Sequence, residues 1–452
     1  MRKKIYSGVG LVLMLVLGYL IYEYYPRLGI ITGYSAKRVC SCKFIADRTL
    51  EQIESEDLAT NPLLGLATNT INLEARSATS AVFGLQSKTA EYRGKLGCVL
   101  VQGKDDYEVK MPTLSSSAIH ADSLLFPYGT KVQPTKTSDA DHSIIRDAAD
   151  QMFDPNGMIA DLKTLGLLVL HKDTLIYERY ADGYDAGTEL LGWSMTKSIM
   201  NSWVGMMVKD GRLQLEADNL FAEWKNDGRS KITLNDLMQM SAGLEWNEHY
   251  GSVSPATEML YNSESNGHIA MMQPLEYTPG DVWEYSSGTS NIISLYLRNQ
   301  YRGHDDYLRY IHERLFIPLG MESTVLETDE SGTYIGSSYT YATARDWARF
   351  GTLYLRDGTW NGDRLLPKDW IAYTREVAPA SGGVYGAQFW TNVDGAELPD
   401  APHDMYSCNG FEGQRVFIIP SHDLVIVRMG LNSHVDFNSL IRDIVGAVPI
   451  VK

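Results

Sequence analysis

The sequence lacks an excess of positive charge. Its 452 residues include 40 lysines and arginines against 56 aspartates and glutamates, which gives a formal net charge of −16. A nucleic-acid-binding surface needs clustered basic residues to neutralise phosphates, and no basic stripe offsets the acidic balance here. The composition therefore argues against nucleic acid as a partner.

Nucleotide and metal motifs are missing as well. The chain has neither a Gly-rich dinucleotide fingerprint nor a Walker motif. Of its four cysteines, only Cys40 and Cys42 are closely spaced, and no histidine pair is positioned to complete a zinc site with them. We therefore expect no cofactor and no metal. Because Cys40 and Cys42 are too close for a typical bridge to each other, we predict that one of them pairs with Cys98 if the chain is exported.

Long hydrophobic runs are equally scarce. The one that occurs, Ile5–Tyr22, follows the basic stretch Met1–Lys4 and is about long enough to span a bilayer. A cleaved signal peptide is the alternative, but no small-residue cleavage site follows near Tyr22–Ile31. We predict a single-pass signal anchor at residues 1–25 in the inner membrane, with the remaining chain on the periplasmic side. The absence of a second such run argues against a transporter or channel.

The pattern after the anchor indicates an α+β architecture. Leu165–Leu170 and Thr174–Tyr180 read as a β-hairpin, and Gln414–Ile419 and Leu424–Met429 as a second strand pair. Strands paired in this way, with long helical stretches between them, favour an antiparallel sheet over a doubly wound one.

Three regions follow from this pattern. Residues 34–130 form an N-terminal region of unknown role. Residues 143–448 form the main domain, with a helical insertion at about 215–340.

Gly192–Ser198 is the stretch most suggestive of chemistry. Ser194 lies at or near the N-terminus of a predicted helix, and Lys197 lies one turn further on the same face. A hydroxyl beside an amine at the positive end of a helix dipole is a plausible activated nucleophile, because burial favours the neutral amine. Ser-x-x-Lys also arises by chance, since serine is a common helix N-cap, so the motif needs support from elsewhere.

Two further motifs supply that support. Tyr285–Ser287 follows a turn at Pro279–Asp281, and Cys408–Gln414 precedes the second strand pair. Together with Ser194–Lys197, their order and spacing resemble the serine β-lactamase/penicillin-binding-protein family, and most of all its class C-like esterases and 6-aminohexanoate-dimer hydrolases. The resemblance covers residues 143–448. It implies a β-lactamase/transpeptidase-like antiparallel sheet flanked by helices, with a helical subdomain.

The resemblance also implies a function and the residues that perform it. The expected activity is that of a serine hydrolase, which cleaves a small ester or amide through an acyl-enzyme. Ser194 would be the nucleophile, and Lys197 and Tyr285 would share the proton transfers. Ser287 would hydrogen bond the Lys197 side chain.

The third motif would complete the oxyanion site. The expected donors are the backbone N–H of Ser194 and one near Phe411, which follows Gly410. Trp246, Tyr250 and Asn409 are candidates for lining the substrate pocket.

The same motif departs from the family pattern. Where the family usually carries Lys-Thr-Gly, this chain has Cys408–Gly410. That lysine helps to hold a substrate carboxylate, so its absence weighs against a β-lactamase or a D,D-peptidase acting on peptidoglycan-type substrates. This activity is the first alternative. The second is a non-catalytic binding or sensor module that keeps the fold, against which the complete set Ser194, Lys197 and Tyr285 argues.

Overall fold

The fold is known from a computed structural model that describes residues 2–103, 109–114, 124–132, 139–153, 163–432 and 434–450. The helices in these ranges are α1 Arg2–Phe44, α2 Leu50–Gln52, α3 His142–Phe153, α4 Thr196–Lys209, α5 Leu234–Met238, α6 Pro255–Asn262, α7 Asn266–Met271, α8 Ser287–Asn299, α9 His304–Ile311, α10 Ile317–Leu319, α11 Ala344–Leu355, α12 Trp370–Arg375 and α13 Phe437–Gly446. The strands are β1 Ala67–Asn72, β2 Ser77–Val82, β3 Leu85–Tyr92, β4 Cys98–Val101, β5 Thr164–His171, β6 Thr174–Tyr180, β7 Leu190–Leu191, β8 Val325–Leu326, β9 Thr340–Ala342, β10 Thr359–Trp360, β11 Asp363–Arg364, β12 Trp390–Thr391, β13 Tyr406–Gly410, β14 Gln414–Ile419 and β15 Leu424–Gly430.

A six-stranded antiparallel sheet forms the centre of the main domain, in the order β12-β13-β14-β15-β5-β6. The predicted hairpin and the predicted second strand pair are both confirmed. Every residue of β5 is buried because helices cover both faces of the sheet. Side chains alternate between the faces, so Leu167 and Val169 pack with α3 and α13, whereas Leu168 and Leu170 face the core that contains α4 and α11.

The helices between β7 and β9 bring the second motif, Tyr285–Ser287, next to the first, Ser194–Lys197. The Oγ of Ser286 accepts a hydrogen bond of 3.0 Å from the Thr289 N–H and caps α8. Helix α8 therefore begins two residues after Tyr285. Its first turn is buried, as are most residues of α4, which begins two residues after Ser194. The two buried helix starts place Ser194 and Tyr285 next to each other.

The N-terminal region is a helix packed on a small sheet. Strands β1 to β4 form an antiparallel sheet in chain order, and the second half of α1 lies against it. A disulfide joins Cys40 of α1 to Cys98 of β4, as one of the two predicted pairings requires. Cys42 and Cys408 are buried free thiols.

Helix α1 also bears on the predicted membrane anchor. The run proposed for residues 1–25 is the first part of a 43-residue helix, which continues through Arg27, Lys37 and Arg38 and is buried in the body around Ala36 and Val39. Within the part of the chain that the structure describes, no helix combines the length and apolarity needed to cross a bilayer. The predicted anchor is therefore not supported. Met1 and most side chains of the first 23 residues lie outside the described part.

Candidate active site

Ser194 lies on a tight turn that contacts with β9 and Trp347 hold in place. The turn, Trp193–Met195, precedes α4, and Trp193 adopts a left-handed backbone conformation with φ of 49°. The N–H of Gly192 donates to the Thr340 carbonyl of β9 at 2.8 Å. A Cβ on Gly192 would lie 2.4 Å from the Trp347 ring, so no larger residue fits there. Ser194 itself is only half-buried, which leaves its hydroxyl open to a substrate.

Lys197 is buried beneath Ser194, with 1% of its surface exposed. Its Nζ donates to the Oγ of Ser194 at 3.0 Å, to the Oγ of Ser287 at 3.0 Å and to the carbonyl of Ser337 at 3.1 Å. Burial lowers the pKa of Lys197 to about 8, although the Glu248 carboxylate opposes the shift. A lysine in this state can lose its proton near neutral pH and act as a base.

Tyr285 completes the contact predicted from the motif order. Its hydroxyl shares a hydrogen bond with Ser194, and the Lys197 Nζ lies 4.8 Å from its ring centroid. Burial and the Glu248 carboxylate raise the pKa of Tyr285 well above its usual value, whereas the Ser194 bond and the Arg415 guanidinium lower it less. The phenol is therefore neutral near pH 7 and has a proton to donate.

Glu248 accepts hydrogen bonds from several residues near Lys197, and no sequence motif indicated this role. Its carboxylate accepts hydrogen bonds from Trp246 Nε1 at 2.6 Å, from the Tyr250 hydroxyl at 2.7 Å and from the Ser287 N–H at 3.0 Å. It also accepts one from the Ser287 hydroxyl, which in turn contacts Lys197. The signal in the sequence was weak: one acidic residue between the two aromatic residues proposed for the pocket.

Of the two aromatic residues predicted to line the pocket, Tyr250 does so and Trp246 does not. Tyr250 lines the cleft in front of Ser194, as predicted, and its hydroxyl also contacts Ser287 at 3.1 Å. Trp246 is not part of that cleft lining. Its buried ring packs against Gly288, where a Cβ would lie 2.5 Å away, and its indole N–H orients Glu248.

The third motif lies against the turn that carries Ser194. A Cβ on Gly410 would lie 2.2 Å from the Gly192 carbonyl oxygen, so the end of β13 touches the backbone next to the serine. The Phe411 ring packs edge-on against Trp193 with 5.7 Å between centroids, and Phe411 lines the same cleft as Ser194. Gly410 and Phe411 therefore lie beside Gly192 and Trp193, the two residues that precede Ser194.

Asn409 does not line that cleft, which corrects its assignment as a pocket residue. Neighbouring residues on a strand point to opposite faces, and the Asn409 amide donates to Glu397 at 2.6 Å and accepts from Ser407 at 2.8 Å. Its partner across the strand pair is Arg415. Cys408 is buried, burial raises the pKa of its thiol to about 12, and so the position of the family lysine carries no charge.

Arg415 is a second residue that the motifs did not indicate. Its guanidinium donates to the Gly410 carbonyl at 3.0 Å and acts electrostatically on Tyr285. A cation from β14 therefore lies near the tyrosine where the family pattern expects a lysine from β13. A neighbouring strand can supply such a charge without leaving any signature in the motif itself.

The cleft in front of Ser194 has a volume of about 310 Å³. It is partly open to solvent, and Ser194 and Ser338 contribute to its lining. Among the residues that the structure describes, no cluster of three or more His, Cys, Asp or Glu side chains could hold a metal ion. The arrangement can thus bind an organic group, attack it with a serine and transfer protons.

The fold and this Ser–Lys–Tyr arrangement define a β-lactamase-like protein. Residues 149–438 match the Beta-lactamase family model, and the chain belongs to that family.

Known proteins resemble the chain over about two thirds of its length. It is 25% identical over 319 residues to a 6-aminohexanoate-dimer hydrolase from Paenarthrobacter ureafaciens, which covers 62% of this chain and 76% of the relative. A putative 6-aminohexanoate-dimer hydrolase from Bacillus anthracis superposes with a TM-score of 0.55 at 24% identity, over 64% of this chain and 80% of that one. The hydrolase EstCE1, which has promiscuous acyltransferase activity, superposes with a TM-score of 0.55 at 15% identity, over 68% and 97%. The two structural likenesses concern the fold alone.

Proposed function

We propose that this protein is a serine hydrolase that cleaves a small ester or amide through an acyl-enzyme on Ser194. The observation that carries the proposal is the contact of Ser194 with both a buried Lys197 at 3.0 Å and Tyr285. A non-catalytic module would have no need to keep a lysine desolvated beside an accessible serine. The similarity to a 6-aminohexanoate-dimer hydrolase supports the same class of reaction.

The protonation states of Lys197 and Tyr285 determine the role that we propose for each. Neutral Lys197 accepts the proton of Ser194 as the Oγ attacks the carbonyl carbon, and the oxygen of the resulting tetrahedral centre faces the backbone N–H groups of Ser194 and Phe411. Tyr285 then donates its proton to the leaving group as the bond to that group breaks, and it regains a proton from Lys197. Water attacks the acyl-enzyme by the reverse route and restores the Ser194 hydroxyl.

A fluorophosphonate probe tests this proposal on the unmodified chain. We expect covalent labelling, and peptide mass mapping should place the label on Ser194 and not on Ser198, which is buried one turn further along α4. A hydrolysable ester added in excess should slow the labelling. An unlabelled chain that also turns over no ester or amide would exclude the serine hydrolase proposal.

The pH dependence of the reaction provides a separate prediction. Because the base is neutral Lys197 with a pKa of about 8, kcat/KM for an ester should rise as the pH increases through that value. The Glu248 carboxylate stabilises the ammonium and so raises this pKa, which means that Glu248→Gln should move the rise to lower pH. Stopped-flow or steady-state rates between pH 5 and 10 measure both profiles.

Glu245→Gln is the matched control, since Glu245 lies in the same loop with an exposed side chain. It should leave the profile unchanged. A flat profile, or a shift to higher pH in Glu248→Gln, would contradict Lys197 as the base.

The peptidoglycan alternative has less support. Cys408 contributes no charge to the third motif, and Arg415 of the neighbouring strand is already bonded to the Gly410 carbonyl. Nitrocefin hydrolysis much faster than ester hydrolysis would favour that alternative.

We also propose that the protein works outside the cytoplasm, on the periplasmic side of the inner membrane. The Cys40–Cys98 disulfide supports an oxidising compartment. A C-terminal fusion to alkaline phosphatase, which is active only after export, tests this location.

A further inference from the structure

One wall of the cleft in front of Ser194 comes from the N-terminal region, outside the part that matches the family. Helix α1 contributes Ile30, Ile31 and Tyr34, and the short 3₁₀ helix Pro62–Leu66 contributes its first three residues. Trp193, Leu260, Tyr261 and Phe411 of the main domain form the facing wall. The family model begins only at residue 149, so the family match does not account for this wall.

Aromatic contacts hold the N-terminal wall in place. Tyr34 stacks on Trp193 with 6.1 Å between centroids, and it packs edge-on against Tyr261 at 5.8 Å. A Cβ on Gly33 would lie 2.9 Å from the Tyr261 Cβ, so α1 approaches the main domain as closely as a glycine permits. The wall is therefore packed directly against the main-domain residues that line the cleft.

Buried charges provide a second link between α1 and the nucleophile. The Arg38 guanidinium lies 3.5 Å from the Glu412 carboxylate, which also accepts a hydrogen bond of 3.0 Å from the Trp193 indole N–H. Trp193 precedes Ser194 and Glu412 follows Phe411. The helix thus contacts both sides of the expected reaction centre.

The chemistry of the cleft is apolar. Aliphatic and aromatic side chains form most of its lining. Among the described residues that line it, Arg27 carries a charge and none has a carboxylate. Its volume of about 310 Å³ is at the lower end of the range for small-molecule sites. Tyr285 does not line the cleft, although its hydroxyl contacts Ser194. The leaving group departs toward Tyr285, so the cleft is left for the other half of the substrate.

We propose that the cleft binds an uncharged, apolar acyl chain, and that α1 and Pro62–Leu66 form the wall that selects it. This inference rests on the proposed serine hydrolase activity. A 6-aminohexanoyl group would bring an ammonium into a cleft that has an arginine and no carboxylate. The chain therefore differs in acyl preference from what the name of its relative indicates.

A series of p-nitrophenyl esters tests the acyl preference, with spontaneous hydrolysis subtracted. Each methylene buried in an apolar site strengthens binding about fourfold, so kcat/KM should rise at least about tenfold from acetyl to hexanoyl. The hexanoyl ester should exceed the 6-aminohexanoyl ester, which has the same length, by at least about tenfold. Equal rates for acetyl and hexanoyl, or a preference for the aminohexanoyl ester, would overturn the inference.

Leu63 and Leu66 offer a matched pair of variants on one short helix. Both side chains are exposed, at 52% and 42%, but only Leu63 lines the cleft. Leu63→Asp should lower kcat/KM for the hexanoyl ester about tenfold, raise it for the aminohexanoyl ester and change the acetyl ester little. Leu66→Asp should leave all three rates as they are.

The outcomes separate the two proposals. Absence of fluorophosphonate labelling and of all ester turnover would contradict the serine hydrolase itself. Normal acetyl ester turnover with identical effects of Leu63→Asp and Leu66→Asp would overturn the acyl cleft alone.

Discussion

Ser194→Ala is expected to lower kcat/KM for an ester by about 10⁶-fold, the scale seen when a serine hydrolase loses its nucleophile. The Ser194 hydroxyl is the group that contacts Lys197, Tyr285 and the cleft together. Removing one oxygen abolishes covalent catalysis, while the cleft and the backbone donors remain. Substrate affinity should therefore change little, and the loss should appear in kcat. Steady-state rates with p-nitrophenyl hexanoate measure it.

The control for this variant is Ser143→Ala, an exposed serine on α3. It should retain full activity, and both variants should unfold at the temperature of the unmodified chain, since neither substitution opens a large cavity. A Ser194→Ala protein that keeps more than about 1% of the activity would show that another group attacks the substrate.

The sequence was sufficient to predict the groups that meet at the candidate site, because their arrangement depends on local structure. Lys197 follows Ser194 by one helical turn, so its contact with the serine follows from helix geometry alone. Tyr285 and Ser287 could be predicted because they belong to a motif at the start of another helix, and Ser287 does contact Lys197 as predicted. The strand pair at the third motif was equally evident from its hydrophobic pattern.

The charged groups around these residues could not be predicted, since they reach the candidate site from separate elements. Glu248 lies on an irregular loop, and Arg415 lies on the strand next to the third motif. Their effect on Lys197 and Tyr285 depends on strand register and loop path. The same register explains Asn409, whose side chain points to Glu397 because alternate residues of β13 face opposite sides.

The N-terminal region illustrates a different limit. A hydrophobic run near residue 5 indicates a membrane segment whatever follows it, because hydropathy is a property of the local sequence. What α1 packs against is a tertiary property. Tyr34 and Leu63 line the cleft. The stacking of Tyr34 on Trp193 and the Arg38–Glu412 pair join α1 to the main domain, and neither contact can be read from the hydropathy of the segment.

Lys197→Met is expected to lower kcat/KM by about 10³-fold, within the range for the loss of a general base. Methionine fills a volume similar to that of lysine, so the buried site stays packed, but the thioether cannot take the Ser194 proton. The rise in rate through pH 8 should disappear with the amine, and labelling of Ser194 by a fluorophosphonate should slow in proportion. Lys209→Met is the matched control, because Lys209 ends the same helix with an exposed side chain.

The two lysine variants differ in what they remove from α4. Lys209→Met removes a solvated charge, whereas Lys197→Met removes a desolvated one that donates to Ser287 and Ser337. Lost donor bonds destabilise the fold, but the loss of a buried ammonium stabilises it, so thermal unfolding should remain cooperative in both. A folded Lys197→Met protein with undiminished acylation and an unchanged pH profile would require another base, and Tyr285 would then have to ionise despite the burial and the Glu248 carboxylate that raise its pKa.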